Sequence, residues 1–195
     1  YAIRILLPTG RVAEAIATMQ SAIDQEPFNI PMQANLARAY LYAGRNPEAV
    51  TQARNTYAMD SSNTAARYWL AHVLANTGNA EEAVQLADSF LSENPDSNLM
   101  RLLAAISHAK AGDENKAREL LKRMQKSAES EYVASTWQAF ILAQLSEQDA
   151  AMDMLEKAYQ DKDWNTRIIN ADPLLKPLRD NPRFQALVKQ IGLEP

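Results

Sequence analysis

His72 and His108 are the two histidines of a 195-residue chain that contains no cysteine. A catalytic or metal centre would have to be built around them, or from carboxylates and hydroxyls alone. Neither histidine has a second ligand at a spacing that suits a metal. With no cysteine thiolate, and no serine or threonine in a recognisable activating motif, covalent catalysis has no evident agent. There is no glycine-rich phosphate loop. The carboxylates are plentiful but fall on expected outer helix faces, whereas paired acid–base chemistry needs enclosure. The expectation is a protein that is not an enzyme and takes no cofactor or metal. His108 reads as a packed, hydrogen-bonded histidine, and His72 as a side chain projecting into a groove.

Composition narrows the partners. A net charge of −4 gives no broad attraction to nucleic acid. No apolar run approaches the roughly 20 residues needed to span a bilayer. Neither nucleic-acid contact nor membrane insertion is expected of this region. A chain without cysteine fits any compartment; the cytoplasm is the expected location and the periplasm the alternative.

A repeat must position whatever works here. Gly10, Gly44, Gly78 and Gly112 are each 34 residues apart. With the glycine numbered as position 15 of a unit, position 20 holds Ala15, Ala49, Ala83, Ala117 and Ala151. Position 32 holds Pro27 and Pro95, with Ser61 between them, and Ser146 takes the glycine slot of the fifth unit. A fixed period of this length indicates a solenoid. Each unit reads as two helices. In "PMQANLARAYLYAG", Leu36, Ala37, Tyr40 and Ala43 follow the spacing of an amphipathic helix. Gly44 then makes the turn, Pro47 opens the second helix, and Ala49 lets the two backbones approach.

Glycine, alanine and proline at these positions resemble the tetratricopeptide repeat family over residues 1 to about 165. The resemblance implies an all-α right-handed superhelical solenoid of about five helix-turn-helix units. These run over 1–29 (incomplete, with Tyr1 at position 6), 30–63, 64–97, 98–131 and 132–165, and a short helical cap occupies 166–195. The incomplete first unit suggests a piece of a longer protein. One departure stands out: the usual aromatic at position 4 is replaced by Gln33, Arg67, Arg101 and Ser135.

In this family the concave face usually binds a protein or peptide partner. The matching positions give Arg38, Tyr42, Tyr68, His72 and Asn76 in one half of the groove. The other half holds Leu99, Leu102, Ile106, Lys110, Thr136, Phe140 and Gln144. The first half is polar and aromatic. In the second, Leu99, Leu102, Ile106 and Phe140 form an apolar patch that monomers seldom leave open. A partner, the chain's own tail or a second copy in a homodimer would cover it. The Lys–Asn–Arg clamp by which one subgroup binds chaperone C-termini is absent, since its slots hold Ala34, Arg38, Trp69, Leu99 and Leu103.

On the convex side, the acidic helix "NAEEAVQLADSFLSENPDS" precedes the basic helix "ENKARELLKRMQK", and charge matching between the two is expected. In the tail, Asp172-Pro173 and Asn181-Pro182 read as helix starts and Gly192 as the last stop. "AYQDKDW" followed by "DPLLKPLRDNPRF" is similar to the end of such arrays in bacterial multidomain signalling proteins, among them winged-helix regulators, cyclases, kinases and TolB-like proteins. That resemblance implies a C-terminal sensory or scaffolding module. A stand-alone envelope-assembly scaffold and a small-molecule-binding regulator are the alternatives.

Overall fold

The computed structural model describes residues 2–193. Tyr1, assigned above to position 6 of the first unit, and the final Glu194 and Pro195 of the expected cap lie outside the described residues. Every regular element among the described residues is helical. A short helical segment, Ala2–Leu6, precedes α1 (Val12–Gln25). Four helix pairs follow: α2 (Ile30–Tyr42) with α3 (Asn46–Met59), α4 (Thr64–Asn76) with α5 (Ala80–Glu93), α6 (Asn98–Lys110) with α7 (Glu114–Ser127), and α8 (Ser135–Gln144) with α9 (Gln148–Gln160). Two 3₁₀ segments, Trp164–Ile168 and Pro173–Leu178, lead to α10 (Pro182–Ile191).

Within each pair the helices pack along their length, and α2, α4, α6 and α8 also pack on one another in succession. These four line the concave side of an all-α right-handed superhelical solenoid. The position-20 alanines Ala15, Ala49, Ala83, Ala117 and Ala151 are fully buried at the crossings, where a larger side chain would have no room. Gly44 turns with φ of 71°, a left-handed conformation that costs glycine little. Ser146 adopts φ of 61° in the fifth unit, so the turn geometry persists where its usual residue does not.

The period extends to the helix starts. Asn29, Asn63 and Ser97, each 34 residues apart, cap α2, α4 and α6 by accepting from Met32 N, Ala65 N and Met100 N. The polar residues at position 4 have a role of the same kind. Gln33 Nε2 donates to Pro27 O at 2.8 Å, Arg67 Nε to Ser61 O at 2.7 Å, and Arg101 Nη2 to Pro95 O at 2.7 Å. Each reaches back six residues to a turn carbonyl, where an aromatic ring would offer no donor. Ser135 is too short to do so, and the residue before α8, Ala134, offers no side-chain cap of its own.

The convex charges pair differently from the expectation. Glu119 of α7 lies three residues from Lys116 and four from Arg123, and it bridges to both at 3.0 and 2.5 Å. Arg118 reaches Glu114 and, across the next turn, Glu147. The acidic α5 instead gives Glu82 to Arg54 of α3 and Glu93 to Arg67 of α4. Within the basic helix Lys116, Arg118 and Arg123 take the acids one turn away, which are nearer than those of α5.

Candidate partner-binding groove

The polar half of the groove is built on two helices. Arg38 and Tyr42 are one turn apart on α2, while Tyr68, Trp69 and His72 share a turn of α4. The Arg38 guanidinium carbon lies 5.0 Å from the Tyr42 ring centre and 5.2 Å from that of Trp69, within reach of cation–π attraction. His72 stacks on Tyr68 at 5.4 Å, and Trp69 approaches it edge-on at 5.1 Å. Asn76 Nδ2 donates to the carbonyl of His72 at 2.9 Å.

The tail closes over this face. Asp163 accepts from the backbone N–H and hydroxyl of Thr136, at 3.2 and 2.7 Å. Gln144 Nε2 donates to Leu174 O at 2.5 Å. Asp172 Oδ1 caps its own 3₁₀ segment by accepting from Leu174 N at 3.0 Å, and its Oδ2 accepts from the Tyr42 hydroxyl. Leu102, Ile106, Thr136 and Phe140 are buried, and Leu174, Leu175 and Leu178 join the same apolar core. Leu99 is half-buried against that core, and Lys110 stands exposed at the rim. Of the three covers considered for the apolar half, the chain's own tail is in place.

This closure corrects the expectation for His72. The side chain is 1% exposed, held between Tyr68 and Trp69 rather than projecting into open space, and Arg38 is 6% exposed. Sequence positions alone do not reveal this, because the cover comes from a segment outside the repeat. Two participants were also missed. Trp69 lies at position 6, outside the groove set, and Trp137 occupies the same position two repeats further on. Asp172 was read only as a helix start.

Burial sets the electrostatics. It pushes the phenols of Tyr42 and Tyr68 up, and it drives His72 down to about 4, helped by the positive charges of Arg38 and Lys110 and opposed by Asp172. Partial burial likewise lowers the Lys110 ammonium. Arg38 Nε and Nη2 and both ring nitrogens of His72 have no hydrogen-bond partner. Groups left so typically cost about 1–3 kcal/mol each. By contrast His108 sits 3.1 Å from Asp88 and 3.5 Å from Asp113, as a packed structural histidine should. Among the described residues no cluster could hold a metal ion, and no helix is long and apolar enough to cross a membrane.

Residues 72–171, just over half of the chain, match the N-terminal TPR repeats region of Psidin, and residues 35–98 match the tetratricopeptide repeat family itself. The chain belongs to the tetratricopeptide repeat family. Tetratricopeptide repeat proteins mediate protein–protein interaction, on a fold that is typically a non-catalytic scaffold. This array is similar to the Vi polysaccharide export protein VexE of Salmonella typhi, with 28% identity over 74% of this chain and 22% of that protein. It is 24% identical to DnaJ homolog subfamily C member 3 of Bos taurus over 84% of this chain and 29% of that one. The chain thus spans less than a third of the length of these curated relatives. Among solved structures, a thermophilic TPR protein of Thermus thermophilus superposes with a TM-score of 0.61 at 20% identity, covering 83% of this chain and 91% of that one. A tetratricopeptide repeat protein of Parabacteroides merdae gives 0.52 at 15% identity, covering 97% and 76%. At these identities the two structures speak to the fold of the array.

Proposed function

We propose that this array is the C-terminal sensory or scaffolding part of a bacterial signalling or transcription-regulatory protein, acting in the cytoplasm by holding a protein partner on its concave face. The repeats 30–63, 64–97, 98–131 and 132–165 supply the groove, and 166–195 caps the stack. Partner contact centres on Arg38, Tyr42, Tyr68 and Asn76, with His72 packed against Tyr68 and Trp69 as their support and Lys110 and Gln144 at the rim. The observation that carries this reading is the cluster of one arginine and three aromatic rings gathered from adjacent repeats on a single face. Aromatic residues and arginine commonly dominate binding energy, because large and rigid surface is ordered at small entropic cost. Stacking has already set the inner helices in place, so the reorganisation that binding requires is confined to the tail that covers them.

The likeness to a polysaccharide export protein supports a second reading, an envelope-assembly scaffold in the periplasm. The sequence upstream of Tyr1 separates the two: a winged helix, cyclase or kinase domain supports the first, a signal peptide or lipobox the second. The interaction itself is tested by capturing partners from the source organism on the immobilised chain. Tyr68→Ala should abolish capture of a partner that the wild type retains. Arg118→Ala with Arg123→Ala, on the convex helix, should leave it intact. The reverse result places the working surface on α7 and overturns the groove.

A further inference from the structure

The Arg38 guanidinium has two unpartnered nitrogens, Nε and Nη2, and the residue is 6% exposed. These two nitrogens form one edge of the planar group, the edge that takes both oxygens of a carboxylate in parallel hydrogen bonds. The tail brings a carboxylate into the neighbourhood but does not deliver it there. Asp172 is close enough for its charge to bear on Tyr42, Tyr68, His72 and Lys110. Each of its oxygens accepts one bond, from the Tyr42 hydroxyl and from Leu174 N, and neither reaches the Arg38 nitrogens. The docked tail therefore satisfies the leucine-lined half of the groove and leaves the arginine fork and both nitrogens of His72 unmet.

The anchors of the tail lie outside the part that fills the groove. Upstream, Asp163 is tied to Thr136 of α8. Downstream, Arg183 of α10 bridges to Asp153 and Glu156 of α9 at 2.7 and 2.9 Å. The stretch between, "ADPLLKPL", is a strap fixed at both ends, holding the face through Asp172, the carbonyl of Leu174 and three leucines.

We propose that this strap is an internal stand-in for a partner segment of the same chemistry: an acidic residue followed by leucines, whose carboxylate takes the Arg38 fork while its leucines replace Leu174 and Leu175. The inference rests on the proposed role of the concave face in partner binding. It adds the kind of segment recognised and the element that must lift. A competing segment gains the charge-assisted pair that the strap does not make. The strap in turn has the advantage of being tethered, with an effective concentration on the order of millimolar. Only a segment that uses the fork displaces it.

The probe is a fluorescent peptide of this chain's own residues 168–180, "IINADPLLKPLRD", titrated against the full chain. A variant carrying Asp172→Asn and Leu175→Ser weakens the strap and leaves the groove untouched. That variant should bind the peptide at least tenfold more tightly than the wild type. A peptide with asparagine in place of its aspartate should bind at least tenfold more weakly, and Arg38→Met in the same variant should erase the difference. Failure of a folded variant to bind, or indifference to the aspartate, overturns the proposal. So does displacement of the peptide by equimolar succinate, which would make the site one for small carboxylates, or concentration-dependent dimerisation of the wild type by exchange of tails. Should the variant not fold, amide exchange of the wild type decides. Leu174 and Leu175 exchanging at least tenfold faster than the core of α8 supports a lifting strap, and equal protection rejects it. If the peptide fails while a partner is still captured in a manner sensitive to Tyr68→Ala, the interaction reading survives and this inference alone falls.

Discussion

Along the strap, α6 and α8 are met with leucines and one backbone carbonyl, whereas α2 is met with a single carboxylate. The first contact is non-directional, and buried apolar area secures it even if side chains shift. The second depends on direction, since each donor needs an acceptor at a given angle. The apolar half is complete, with Leu102, Ile106, Leu174, Leu175 and Leu178 without exposure. The polar half retains four buried nitrogens without partners. One half of the groove thus holds the tail, and the other half leaves room for discrimination.

The comparison breaks most visibly if the apolar half is emptied. Phe140→Ala should cost about 3–5 kcal/mol in urea unfolding, because a buried ring leaves a cavity between α8 and the tail. A loss below about 1 kcal/mol would mean that the tail is not packed there.

The polar half is sharpened by pH. His72 has an ordinary value of 6.5 in the unfolded chain and about 4 when buried. Between those values the unfolded state binds more protons, so the contribution of a neutral His72 is complete above pH 6.5 and is lost as pH falls towards 4. Its size is about 3 kcal/mol. The stability difference between wild type and His72→Gln should change by that order across the window, and it should be flat from pH 7 to 8. Parallel curves would show that His72 stays solvated.

The smallest effect belongs to Tyr42→Phe. Removing one hydroxyl from a bond to a carboxylate should cost about 1–2 kcal/mol and quicken amide exchange in residues 171–178 before it affects α8. A loss as large as that of Phe140→Ala would reverse the ranking of the two halves.

The repeat was legible because it recurs in residue type: glycine at the turn, alanine at the crossing, and proline between units at Pro27 and Pro95. Even the fifth unit keeps its register where Ser146 replaces the glycine. The groove positions were legible for the same reason, since helical spacing fixes which side chains share a face. What covers them was legible only as a choice among the tail, a partner and a second copy. Asp172 carries no periodic mark, and its bond to Tyr42 joins residues 130 apart, which no local pattern records. The ion pairs of α7 went unread for a simpler reason: net charge per helix says nothing about Glu119 lying between two cations.

That 130-residue contact also bears on how the chain reaches its fold. A solenoid is nearly one-dimensional, and its repeats can assemble from neighbour to neighbour at little entropic cost. Closing a loop of this length in a disordered chain would cost about 4 kcal/mol by itself. The bond from Tyr42 is therefore expected to form last, after stacking has brought α2 and the tail together. Refolding should show a fast rise of helix signal followed by a slower change in tryptophan emission at Trp69, whose indole lies against Arg38. Once formed, the bond fixes a chord across the curve of the stack, so the small rotations that let an open array flex are no longer independent of one another.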